Sequence, residues 1–164
     1  MSSDGTKMVA WNNSVVDPIY TSTDSGVTWT ARNQSLSWPT VSWTWNTGYA
    51  HSSLTSSADG TKLAAVVNGG GIYTSNDSGV TWTLQPAAGS RWWHSITSSA
   101  DGTKLYAVSV RCTSNIGILD PGGVYASYDS GVTWTLLPRI YGWIWAPIDA
   151  VSYTHLTLPT KRIV

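Results

Sequence analysis

Nine carboxylates and three histidines are the side chains of this 164-residue sequence best suited to acid–base or metal chemistry, and all nine carboxylates are Asp because Glu is absent. Six of the nine fall in two recurring motifs. The first, Ser22-Thr23-Asp24-Ser25-Gly26-Val27-Thr28-Trp29, recurs from Ser75 through Asp77, Gly79 and Thr81 to Trp82, and from Ser127 through Asp129, Gly131 and Thr133 to Trp134. Asp to Asp, the spacings are 53 and 52 residues. The second, Asp-Gly-Thr-Lys, opens at Asp4, Asp59 and Asp101. Three evenly spaced carboxylates could bind calcium or supply an acid. Turn chemistry accounts for them better: Asp24, Asp77 and Asp129 are expected to accept hydrogen bonds from backbone N–H groups one or two residues ahead, while Gly26, Gly79 and Gly131 take positive φ. A site grafted on a repeat breaks the repeat rather than following it.

Asp-Gly between strands is the favoured two-residue hairpin pair, so Lys7, Lys62 and Lys104 read as solvated flanks rather than catalytic amines. The non-repeat carboxylates are Asp17, Asp120 and Asp149, and the first two each precede a Pro, as turn residues do. Two suitably separated carboxylates are enough for glycoside hydrolysis, but the sequence leans against an enzyme. His51, His94 and His155 lack the spacing of metal ligands. Neither a metal nor another cofactor is expected.

Each repeat must hold these turns between strands. In the middle repeat, stretches of strand length run over about 51–57, 62–68, 71–75 and 80–84, each bounded by Gly, Asp, Ser or Pro. Four antiparallel strands in a period of about 50 residues is the pattern of a β-propeller blade. Tyr20, Tyr73 and Tyr125 precede the first motif in each repeat and are expected in the core. Trp29, Trp82 and Trp134 are expected to open the outer strand and pack within or between blades.

The motif Ser-x-Asp-x-Gly-x-Thr-Trp resembles the Asp box, or bacterial neuraminidase repeat, of sialidases, sortilin-type receptors, xyloglucan-degrading hydrolases and photosystem II assembly factors. The stretch from Gly89 to Leu105 more specifically resembles tandem-repeat proteins that carry this propeller. The resemblance covers roughly residues 1–151 and implies a structural role for the motif residues Ser22, Asp24, Gly26, Thr28 and Trp29 and their equivalents. The sialidase site needs an arginine triad, an acidic catalyst and a Tyr nucleophile paired with Glu. This sequence has no Glu, and in place of that family's Arg-Ile-Pro it reads Arg139-Ile140-Tyr141.

The expected architecture is therefore all-β, a propeller fragment of about three four-stranded antiparallel blades. Blades are placed at about 1–35, 48–89 and 90–140, with the start of a further blade at 141–151. Trp145 follows Trp93 by 52 residues, but position 153, where Asp-Gly-Thr-Lys is due, reads Tyr153-Thr154-His155-Leu156. Residues 152–164 are accordingly read as a non-repeat tail, non-native or disordered. Met1 falls just before an Asp-Gly-Thr-Lys turn, so the first blade lacks its inner strand and the N-terminus reads as truncated. Closed propellers have 4–8 blades; three leave an open arc whose edges favour self-association.

With 9 Lys+Arg against 9 Asp+Glu and no basic cluster, a nucleic-acid partner is not expected. No apolar run approaches the roughly 18 residues of a membrane helix. One cysteine, Cys112, excludes an internal disulfide framework. Localisation is left open, extracellular if a missing N-terminus carried a signal peptide.

Unequal loops carry the remaining expectation. Trp82 to Trp93 and Trp134 to Trp145 each span 11 residues, but Trp29 to His51 spans 22; Lys62 to Tyr73 spans 11, but Lys104 to Tyr125 spans 21. With strands running outward from the axis, both motif turns fall on one face and both insertions, 35–48 and 110–123, on the other, where scaffolds carry function. Trp38, Trp43, Trp45, Trp92, Arg91, Arg111 and Asp120 are the candidate contacts there, for a carbohydrate or a protein partner. The plainer alternative is that these Trp side chains fill gaps between blades.

Overall fold

In the computed structural model, residues 1–11, 19–32, 52–110 and 122–138 are described. The elements follow the turn spacing. The middle blade contains β4 (Ser52–Ser56), β5 (Leu63–Gly70), β6 (Ile72–Ser75) and β7 (Thr83–Gln85), all antiparallel in sequence order. The third repeats this order with β8 (Arg91–Ser98), β9 (Leu105–Ser109), β10 (Gly123–Ser127) and β11 (Thr135–Leu136). The first holds β1 (Met8–Trp11), β2 (Ile19–Ser22) and β3 (Thr30–Ala31). The only helical element among the described residues is a 3-10 turn at Pro86–Ala88, so no helix there is long and apolar enough to cross a membrane. The chain is all-β and forms an incomplete propeller.

Alternation along β5 shows why the middle blade is central. Leu63, Ala65 and Val67 join Ile19, Tyr73 and Trp82 in a core shared with Val9 and Trp11 of the first blade. Ala64 and Val66 point the other way, into a core with Ile72, Ala88, Trp93, Ile96, Leu105, Ala107 and Tyr125. A strand covered on both faces is apolar at successive positions. Trp93 is fully buried and meets the Tyr125 ring edge-on at 5.2 Å. Tyr73 and Tyr125 are in these cores as expected, whereas Tyr20 is half-buried.

One strand boundary differs from expectation. The outer strand of the middle blade starts at Thr83, not near residue 80, and no Trp of the motif lies inside a strand. The indole is used to close the turn instead: the Nε1–H of Trp29, Trp82 and Trp134 donates to the carbonyl of Gly26, Gly79 and Gly131 at 2.9, 3.1 and 2.8 Å.

Backbone hydrogen bonds fasten the turns together at one end of the sheets. Within a blade, the N–H of Ser25, Ser78 and Ser130 donates to the carbonyl of Thr6, Thr61 and Thr103. Between blades, Ser3 N–H donates to Ala58 O and Ala58 N–H to Ala100 O, both at 2.7 Å. At the opposite end, β5 runs past β4 and pairs through a bulge with the start of β8, Asn68 with Trp92 and Gly70 with Arg91. The proposed fourth-blade start at 141–151 and the tail 152–164 lie outside the described residues.

Candidate functional site

Both repeated turns are built around a Ser-x-Asp pair. Ser75 Oγ donates to Asp77 Oδ1 at 2.8 Å and accepts from Gly79 N–H at 2.9 Å. Asp77 then accepts from Thr81 N–H and Thr81 Oγ1 at 2.8 and 2.6 Å. Ser22, Asp24, Gly26 and Thr28 repeat the arrangement, as do Ser127, Asp129, Gly131 and Thr133. This corrects the expected donors. The carboxylate reaches the Thr four residues on, because the hydroxyl two residues before it already holds the nearer N–H. Positive φ is found at each Gly and also at the preceding Ser25, Ser78 and Ser130, each at 59°, as in the mirror-image hairpin turns.

The Asp-Gly-Thr-Lys turn uses the same device. Ser57 Oγ donates to Asp59 Oδ1 and accepts from Lys62 N–H, while Thr61 N–H donates to Asp59 at 3.0 Å. Ser2 and Ser99 do the same for Asp4 and Asp101. These three serines were missed from the sequence, although the Ser-x-Asp spacing of the other motif was the signal that finds them. Nor are the lysines all solvated flanks. A Cβ built on Gly102 would lie 2.8 Å from Lys62 Cβ, one on Gly60 2.8 Å from Lys7 Cβ, so each lysine stem packs on the next blade. Lys104 is exposed.

These donors depress the carboxylate pKa values. Asp24 and Asp129 are lowered to about 2 by the hydroxyls and N–H groups of Thr28 and Thr133, with Ser22 and Ser127 adding to the effect. Asp4 is lowered to about 2 by Ser2 and then Thr6. Asp59 and Asp101 are held well below the usual range, chiefly by Ser57 and Ser99. Desolvation pushes Asp77 upward, yet Thr81 and Ser75 outweigh it and the net shift is downward. A general acid needs the opposite shift. Among the described residues, no three His, Cys, Asp or Glu side chains gather to hold a metal ion.

The other end of the sheets is where the unequal segments are rooted. Arg32 N–H bonds Ile19 O before residue 33, and Ser52 pairs with Val67 after residue 51. Val110 N–H bonds Trp92 O before residue 111, and Gly123 pairs with Ser109 after residue 121. Both segments thus leave and return at the end remote from the Asp turns. Arg91 and Trp92, which open β8, belong to this end. The Arg91 guanidinium lies 4.6 Å above the Tyr125 ring and its Nε donates to Ala88 O at 3.3 Å; Trp92 is half-buried. Trp38, Trp43, Trp45, Arg111 and Asp120 lie outside the described residues, as do Asp17, Asp149, His51 and His155.

No protein-family model and no curated protein sequence matches this chain. Solved structures match by shape. A GH74 enzyme of Niastella koreensis superposes with a TM-score of 0.55 at 23% identity, over 82% of this chain and 16% of that one. A structure of YCF48 bound to D1 peptide gives 0.53 at 16% identity, over 83% of this chain and 42% of that one. The GH74 xyloglucanase of Xanthomonas campestris gives 0.51 at 15% identity, over 82% and 19%. This chain thus spans less than half the length of each. The likeness establishes the fold, a β-propeller whose described blades are closed by Ser-x-Asp turns.

Proposed function

We propose that this chain is a non-catalytic binding or assembly module of Asp-box type that presents the loop end of its blades to a carbohydrate or protein partner. One observation carries this reading: every described carboxylate accepts its turn's own donors and has a lowered pKa. The complex of the structurally similar YCF48 with a peptide favours a protein partner. Contacts are assigned to Trp38, Trp43 and Trp45, and to Arg91, Trp92, Arg111 and Asp120. Likeness to two GH74 enzymes favours a second reading, a fragment of a sialidase-like or other Asp-box glycoside hydrolase, with Asp17, Asp120 and Asp149 left as its carboxylates.

Glycan and peptide arrays probed with the wild type and a Trp43→Ala/Trp45→Ala variant separate these. Two lost aromatic contacts at about 1 kcal/mol each weaken binding by at least about tenfold. Hydrolysis of xyloglucan or a sialoside by the wild type favours the enzyme. Unchanged binding by the variant returns these Trp residues to packing between blades.

A further inference from the structure

The hairpin that joins β5 to β6 turns on Asn68-Gly69-Gly70 and is closed by the bond from Val67 N–H to Gly71 O at 3.0 Å. It lies at the loop end, where the third blade separates β9 from β10 by residues 110–122. Its tip also reaches the third blade. Asn68 pairs with Trp92 and Gly70 with Arg91, and Asn68 Nδ2 donates to Trp93 O at 3.2 Å. Gly69 is the extra residue between those two pairs, with no register partner in any ladder of β5 and a φ of 71°. Both Asn68 and Gly69 are half-buried.

Asparagine is chemically labile, and the residue after it sets how labile. The carboxamide carbon lies one five-membered ring away from the next backbone nitrogen, and a following Gly has no Cβ to hinder the closure. The other described asparagine, Asn76, is placed less favourably: it precedes Asp77, whose side chain crowds that approach and whose N–H is held by Ser75 Oγ at 3.4 Å. The Asp-Gly pairs of the turns are guarded as well. Gly5, Gly60 and Gly102 N–H donate to Ser2, Ser57 and Ser99 O at 3.1, 3.0 and 2.9 Å, and an ionised carboxylate is a weaker electrophile than a carboxamide. Asn68-Gly69 combines the reactive pair with a turn tip and an unpaired, left-handed glycine.

We propose that Asn68 is a site of spontaneous modification, deamidated by ring closure on Gly69. The Gly69 nitrogen bonds to Asn68 Cγ, the Cγ–Nδ2 bond breaks, and Nδ2 leaves as ammonia with the proton of the Gly69 N–H. Solvent water then opens the cyclic imide at either carbonyl, which gives Asp or isoaspartate. Nothing is oxidised or reduced. The product sets a carboxylate where Nδ2 had donated, so a hydrogen bond to Trp93 O becomes a half-buried contact between two acceptors. Isoaspartate also lengthens the main chain inside a three-residue turn. Either product loosens the joint between the tip of the middle blade and the start of β8, which holds Arg91 and Trp92. This inference is independent of what the loop end binds.

Peptide mapping of the full chain, aged while folded in mildly alkaline buffer at physiological temperature, tests it. Trypsin releases Leu63–Arg91 as one peptide that holds both Asn68 and Asn76, so Asn76 is an internal control, and an unaged sample digested alongside sets the background. The expected result is a rising fraction of Asp and isoaspartate at position 68, with Asn76 intact. Amide hydrogen exchange then reads the joint: Asn68→Asp, which carries the carboxylate of the product, is expected to lose protection at Arg91 and Trp92. The aged wild type is expected to lose it in proportion to conversion, which keeps the test open if the variant does not fold. Asn68 that stays intact in the folded chain overturns the proposal, whether or not the urea-unfolded chain converts, because the fold then guards the pair. Conversion of Asn76 at the same rate overturns it too, since the hairpin tip would give no selectivity. Unchanged exchange at Arg91 and Trp92 in converted chains overturns the loosening of the joint.

Discussion

The first and middle blades contain the same turn in different surroundings. Ser22 and Ser75 each accept the N–H of their Gly at 2.9 Å, and the φ angles run 59° then 86° in one and 59° then 85° in the other. Yet Trp29 is 43% exposed and Trp82 is 9%. Turn geometry is thus set within eight residues of sequence, whereas burial of the tryptophan is set by the neighbouring blade. A motif repeated in sequence need not be repeated in energy.

The sharpest way to break this comparison is to truncate the two tryptophans. Trp82→Ala is expected to destabilise by about 4 kcal/mol as a core deletion, and Trp29→Ala by about 1 kcal/mol because less apolar area leaves water. Urea unfolding followed by tryptophan-independent far-UV circular dichroism measures both. Equal losses would mean that the indole bond to the glycine carbonyl, not burial, is what counts.

Adding a methyl group to the glycines gives a smaller contrast. Gly79→Ala meets Thr21 Cγ2 at 2.8 Å and combines overpacking with left-handed strain, about 3 kcal/mol in all. Gly26→Ala meets the flexible Met8 side chain of its own blade at 3.3 Å and Trp29 at an ordinary contact distance of 3.6 Å, and loses about 1–2 kcal/mol from strain. Similar values for the two would show that the blade contact yields without cost.

The smallest contrast is expected under acid. Asp24 and Asp129 both have folded pKa values of about 2, below the unfolded value of 3.8. Their stabilisation is therefore present above the unfolded value and is lost as pH falls toward 2. Tm should drop over that interval, and Asp24→Asn and Asp129→Asn should flatten the drop alike, because both turns are local. A much larger effect at one position would show that its charge is felt beyond the turn.

What could be read from sequence divides along the same line. The spacings among Asp, Gly and Trp located both turns and the strands between them because those contacts span only a few residues. The turn residues bounding 62–68 marked β5 as strand, but the division of Leu63, Ala65 and Val67 from Ala64 and Val66 between two cores depends on blades some 50 residues away. The serines at 2, 57 and 99 were overlooked because a turn of the Asp-Gly type needs no third residue to be recognised. The packing of the Lys7 and Lys62 stems on Gly60 and Gly102 has no local signal at all. Of the candidate contacts, Arg91 and Trp92 fall at the predicted end, since strand direction alone determines that.

The bond from Ala58 N–H to Ala100 O, preceded by that from Ser3 N–H to Ala58 O, has a consequence for how such a gene can grow. Each unit has a donor for the next unit and an acceptor for the previous one, at the same residue. Tandem duplication of one 52-residue period therefore inserts a blade that fits both neighbours from the first generation, before any compensating substitution. Loss of a period heals equally well. The unequal loops at the far end can then change without disturbing the joint, which makes the turn end the grammar of the array and the loop end its vocabulary.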